Sequence, residues 1–152
     1  MSQKQLLFHE RARERVRRTR LYGKLRGLSL LITYKLGFPQ TVEFDGTTVR
    51  FYHDGLQGHY SVVNSLREDP VIQRILDNVR SDDVFYDIGA NVGFYSCLVG
   101  RRVPGVEVVS FEPYPPNVRL LERNVERNDI DATVVDRALS DWAGEAVFTT
   151  MQ

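Results

Sequence analysis

At 152 residues with 42% apolar side chains, the chain is long enough for one ordinary domain with its own core. Its single cysteine, Cys97, excludes an internal disulfide and fits a reducing compartment, where a buried structural thiol is expected. Net charge is zero but unevenly spread: residues 1–36 hold ten Lys/Arg against two Glu (+8), and residues 37–152 hold ten against eighteen acids (−8), a basic arm joined to an acidic globule.

Residues 5–20 read as a charged helix with a thin stripe of Phe8, Ala12 and Val16, continued by Leu21, Leu25, Leu28 and Ile32 until Gly37 and Pro39 end it. Its apolar run "LSLLITY" at 28–34 is far short of the ~20 residues of a membrane span, and the charged stretch before it argues against a signal peptide. A cytoplasmic protein is expected. The arm, residues 1–37, is either a solvated helix packed on the body or a peripheral surface for anionic membrane. Nucleic acid fits less well, because no aromatic residues interleave with the arginines at 11–20.

The next unit, residues 38–66, contains "TVEFDGTTVRFY", two alternating strand patterns about Asp45-Gly46, which predicts a hairpin with a type I′ turn. From 67 onward the pattern becomes helical and then α/β. Asp69-Pro70 open a helix with Ile72, Ile75, Leu76 and Val79 on its buried face. "VFYDIGA" is a strand, 93–102 a short helix, and Pro104-Gly105 turn the chain into a second strand, "VEVVSFEP". Pro115-Pro116 start another helix with Val118, Leu121 and Val125 inward, and "ATVVDRALS" is a third strand. Near-continuous apolar strands alternating with helices predict a parallel sheet covered on both faces. A last strand is expected after a turn at Ala143-Gly144, with Trp142 packed on the sheet.

In such a sheet, ligands bind beyond the carboxyl ends of the strands, near the first strand–helix turn. Here that turn is Asp87-Ile88-Gly89-Ala90-Asn91-Val92-Gly93. Its glycines let a ligand approach the backbone, and the helix that follows offers N–H groups. Glu112 ends the second strand, nineteen residues after Gly93, where an acid can accept both hydroxyls of a ribose. Loop and acid together imply a nucleoside-containing cofactor. The spacing G-x-x-x-G places Asn91 where the G-x-G-x-x-G of a nicotinamide site has its middle glycine, and an acid precedes the first glycine. Both features suit S-adenosylmethionine, with its sulfonium and amino acid end and no phosphate. A nicotinamide-type oxidoreductase domain and a non-catalytic binding fragment are the rival readings.

"VFYDIGANVGFYS", "VVSFEPYPPNVRLLERNVERND" and "VVDRALSDWAGEAVF" resemble the consecutive motifs of the FkbM family of class I S-adenosylmethionine-dependent methyltransferases, over about residues 67–149. The resemblance implies Asp87, Gly89, Asn91 and Gly93 around the methionine part, Glu112 on the ribose, and Tyr95 and Asn117 beside the cofactor. Many class I enzymes read the adenine with an Asp after the third strand. This chain has Ala138-Leu139-Ser140 there, so backbone, Ser140 or Asp141 would take that part. The resemblance also implies O-methylation of a hydroxyl on a sugar, glycan or other small metabolite.

The expected architecture is thus an α/β, Rossmann-like class I methyltransferase fold that breaks off after its third parallel strand. Residues 67–152 would be its N-terminal half, following the arm and the hairpin. A complete fold of seven strands would need about 100 further residues at roughly 30 per βα repeat. The strand "VFYDIGA" would then show an unpaired edge, which invites self-association and leaves the fragment inactive alone. No catalytic base is singled out. His53 and His59, in "YHDGLQGHY", are weak candidates, and no spacing of His, Cys or acids reads as a metal site.

Overall fold

The computed structural model describes residues 36, 38–53, 62, 69–145 and 147. The arm, His59 and most of the segment that links the hairpin to the α/β unit lie outside the described residues. So does the end of the last expected strand.

Strands β1 (Gln40–Phe44) and β2 (Thr47–Phe51) pair antiparallel, with Val42 opposite Val49 and Phe44 opposite Thr47. Asp45 and Gly46 join them with φ of +44° and +75°, the two left-handed residues that a type I′ turn requires. Alternation then puts Val42, Phe44, Val49 and Phe51 on one buried face.

Helix α1 (Asp69–Asn78) follows, with Ile72 buried and Ile75 and Leu76 half-buried on the expected face. Asp83 closes the next turn by accepting from the Arg80 N–H at 2.8 Å. Strand β3 (Val84–Ile88), helix α2 (Phe94–Arg102), strand β4 (Glu107–Phe111), helix α3 (Pro115–Arg127) and strand β5 (Ala132–Val135) come next. The three strands form a parallel sheet in the order β3-β4-β5, with Asp87 beside Ser110 and Phe111 beside Val135.

Helix α2 is buried at Phe94, Ser96, Cys97, Leu98 and Val99, nearly all round, because it packs on the sheet on one side and on β2 on the other. Phe94 stacks on Phe51 with ring centroids 5.8 Å apart. Helix α3 presents Val118, Leu121 and Val125 inward, as its periodicity predicts. Cys97 is fully buried, and burial pushes its thiol pKa up to about 12, so it is the structural thiol expected.

Three expectations need correction. Among the described residues only one sheet face is covered: Val84, Tyr86 and Ile88 on the other are 44%, 58% and 65% exposed. The third strand ends at Val135, because the Arg137 N–H turns back onto the Val135 carbonyl at 2.9 Å and closes a tight turn. Trp142 does not pack on the sheet; it is 57% exposed, with its ring lying over Gly144. No helix among the described residues is long and apolar enough to cross a membrane.

Candidate cofactor site

The loop from Gly89 to Gly93 lies at the carboxyl end of β3, and its backbone is tied down at almost every step. The Gly89 and Ala90 N–H groups both donate to the Phe111 carbonyl at the end of β4, each at 2.9 Å. The Gly93 N–H donates to the Ala90 carbonyl at 2.8 Å. Gly89, Asn91 and Gly93 all have positive φ, +78°, +52° and +83°. That alternation of left-handed residues explains why small residues and Asn fill the loop.

The two outer glycines serve different ends. A Cβ placed on Gly89 would meet nothing within 4 Å, so the space above this residue is open to a ligand. A Cβ on Gly93 would lie 2.5 Å from Leu121 Cδ1, so Gly93 also lets the loop approach α3. The sequence reading gave both the ligand role alone.

Glu112 is only 6% exposed, and its carboxylate is a junction. Oε2 accepts from the Asn91 N–H at 2.8 Å, while Oε1 accepts from the Tyr114 N–H at 2.9 Å and from Asn117 Nδ2 at 3.5 Å. The expected ribose acceptor thus also fastens the loop to the start of α3. An ionised carboxylate offers about four acceptor positions, so these three donors leave room for a hydroxyl.

Asp87 is buried beneath the loop. Its Oδ2 accepts from the Ser96 N–H at 3.0 Å and from the Ser96 hydroxyl at 2.5 Å. With the Ser96 proton committed to Asp87, the Ser110 hydroxyl is the donor of the 2.8 Å contact to Ser96 Oγ. Burial raises the Asp87 pKa above the ordinary carboxylate value; the two Ser96 donors pull it down, and the nearby charge of Glu112 pushes it further up. Neither Ser96 nor Ser110 was singled out from sequence; a serine facing an acid across two buried elements has no local signature.

Tyr95 is half-buried in the first turn of α2, edge-on to Phe94 at 5.3 Å between centroids. Asn91, Glu112 and Asn117 are thus joined by hydrogen bonds, Gly89 and Gly93 bound the same loop, and Asp87 lies on β3 just before it, bonded to Ser96. Ser140 and Asp141 are exposed and bond to each other at 3.3 Å. His53 follows β2 and is half-buried. Among the described residues no group of three or more His, Cys, Asp or Glu side chains is arranged to hold a metal ion.

A parallel sheet with crossover helices, a glycine-bearing loop after β3 and an acid after β4 make a Rossmann-like α/β fold, the kind that class I methyltransferases share. Known proteins of similar sequence include methyltransferases. The chain is 26% identical over 126 residues to the hexuronic acid methyltransferase AglP of Haloferax volcanii, a stretch covering 83% of this chain and 52% of that protein. It is 38% identical over 66 residues to the 31-O-demethyl-FK506 methyltransferase FkbM of Streptomyces tacrolimicus, covering 43% of this chain and 25% of that one. The chain thus spans about half the length of the first and a quarter of the second. No protein-family model matches it. Overlay on solved structures is loose: the Pyrococcus abyssi tRNA (uracil-54, C5)-methyltransferase, bound to S-adenosyl-L-homocysteine, aligns at a TM-score of 0.45 and 22% identity, over 68% of this chain and 24% of that one.

Glu112→Ala removes the acceptor for the Asn91 and Tyr114 amides together with the expected ribose partner. It is expected to weaken S-adenosylmethionine binding at least tenfold, since one charge-assisted bond is worth roughly 1.5–3 kcal/mol. Calorimetric titration of the full-length protein measures this, and unchanged affinity would remove Glu112 from the site.

Proposed function

We propose that the full-length protein is an S-adenosylmethionine-dependent O-methyltransferase acting on a hydroxyl of a sugar, glycan or small metabolite. One observation carries the reading: the open floor at Gly89 lies in a loop whose Asn91 amide is held by Glu112, at the carboxyl ends of parallel strands. S-adenosylmethionine supplies an electrophilic methyl group on a sulfonium. Glu112 holds one ribose hydroxyl with its remaining acceptor position, and Gly89 gives the amino acid end access to backbone. Asn117 and Tyr95 flank the cofactor.

Electrostatics favours this ligand over a nicotinamide dinucleotide. Two carboxylates, Asp87 and Glu112, lie close enough to feel each other's charge, a setting that suits a sulfonium and an ammonium. A pyrophosphate would look for amides in the first turn of α2, and the Ser96 amide there is already taken by Asp87. The name of the Haloferax relative, a hexuronic acid methyltransferase, supports a sugar acid as the acceptor class.

Incubating the full-length protein with methyl-labelled S-adenosylmethionine and uronic acid oligosaccharides tests the reaction. Label is expected in an alkali-stable ether. Label found only in an alkali-labile ester would place the transfer on a carboxylate, and transfer to none of a panel of hydroxylated acceptors would contradict the proposal.

A further inference from the structure

Two buried asparagines, Asn124 in helix α3 and Asn128 at its C-cap, do what a neighbouring β-strand would do. Asn128 Oδ1 accepts from the Arg50 N–H at 2.8 Å and its Nδ2 donates to the Arg50 carbonyl at 2.8 Å. One helical turn earlier, Asn124 Oδ1 accepts from the Tyr52 N–H at 2.7 Å and its Nδ2 donates to the Tyr52 carbonyl at 3.2 Å. The spacings match: four helical residues rise about 6 Å, and two strand residues about 6.6 Å. The free edge of β2 is thereby satisfied by side-chain amides.

Asn124 does one thing more. It is fully buried, and Nδ2 also donates to the Val92 carbonyl inside the loop at 2.8 Å. The peptide between Val92 and Gly93 is therefore held at both ends, its carbonyl by Asn124 and its N–H by the Ala90 carbonyl. Glycine at 93 would otherwise let that peptide rotate, since glycine accepts both signs of φ. The same amide joins loop and hairpin, so the β1–β2 unit supports the site although none of its residues belongs to the loop.

We propose that Asn124 is a positioning residue that locks the Val92–Gly93 peptide in the cofactor-competent geometry, while Asn128, making the same kind of bonds to β2, serves stability alone. This rests on the cofactor reading above. When a competent loop becomes a minor population, apparent affinity falls by its fraction.

The test compares Asn124→Ala with Asn128→Ala in the full-length protein, measuring thermal unfolding, the Kd of S-adenosylmethionine, and its KM and kcat. Both variants are expected to unfold earlier. Only Asn124→Ala should raise the cofactor Kd and KM, by about tenfold, with kcat kept at saturating cofactor. If Asn124→Ala does not fold, Asn124→Ser, whose hydroxyl is too short to span both partners, takes its place. Equal effects of the two variants on Kd, or none from either, would overturn the positioning role while wild-type binding still supports the cofactor reading. A wild-type protein that binds no S-adenosylmethionine would overturn both.

Discussion

Gly89→Val is expected to abolish cofactor binding and leave the fold standing. The residue has φ of +78°, and a Cβ there meets nothing within 4 Å, so the added side chain enters open space rather than the core. The folded state bears only the left-handed strain, about 1–2 kcal/mol and somewhat more for a branched residue. Domains of this kind have roughly 5–15 kcal/mol in hand. A ligand laid against the loop has no such freedom, because the isopropyl group fills the contact that glycine leaves. Circular dichroism and calorimetric titration on the same sample separate the two effects. Normal affinity with a native spectrum would show that Gly89 is a turn residue and that the cofactor lies elsewhere.

Gly93→Ala should do the opposite. Its φ is +83°, and the new methyl would lie 2.5 Å from Leu121 Cδ1, in a position sealed by helix α3. Left-handed strain adds about 1–2 kcal/mol and overpacking typically 1–3. A loss of roughly 2–5 kcal/mol lowers the melting temperature by about 4–20 °C. The folded fraction should still bind cofactor, since the methyl points at the core and not at the open side. A thermal melt monitored by circular dichroism reads the first expectation. An unchanged melting temperature would mean that Leu121 swings aside and that the loop–helix approach is slack.

The contrast between these glycines marks what the sequence could and could not disclose. Local chemistry was legible: Asp45-Gly46 announced the hairpin, Pro115-Pro116 the start of α3, and the apolar runs the three parallel strands in order. The loop and Glu112 were legible as a pair because their spacing is set by one βα unit. Contacts between distant segments were not. Asn124 and Asn128 bond to residues 72 and 78 positions away, and in sequence they are two polar residues in the last turn of a helix and at its cap. Their one clue was an Asn in the last turn of the helix and another at its C-cap, alongside the apolar stripe. Asp87 read as a ligand contact for its place before the first glycine. Its bonds to Ser96 depend on how α2 folds back over the strand. The third strand looked longer than it is, because nothing in "DRALS" breaks a strand pattern as strongly as the turn at Arg137 does. Trp142 drew a packing expectation from hydrophobicity alone, and one large aromatic on a surface needs no burial.

The central claim is that the loop from Gly89 to Gly93 and Glu112 hold a cationic nucleoside cofactor rather than a dinucleotide. Calorimetric titration of the full-length protein with S-adenosylmethionine and, separately, with a nicotinamide dinucleotide tests it most directly. The account predicts saturable one-to-one binding of S-adenosylmethionine, lost in Gly89→Val, with no heat from the dinucleotide. Binding of the dinucleotide without S-adenosylmethionine, or S-adenosylmethionine binding that Gly89→Val leaves intact, would contradict it.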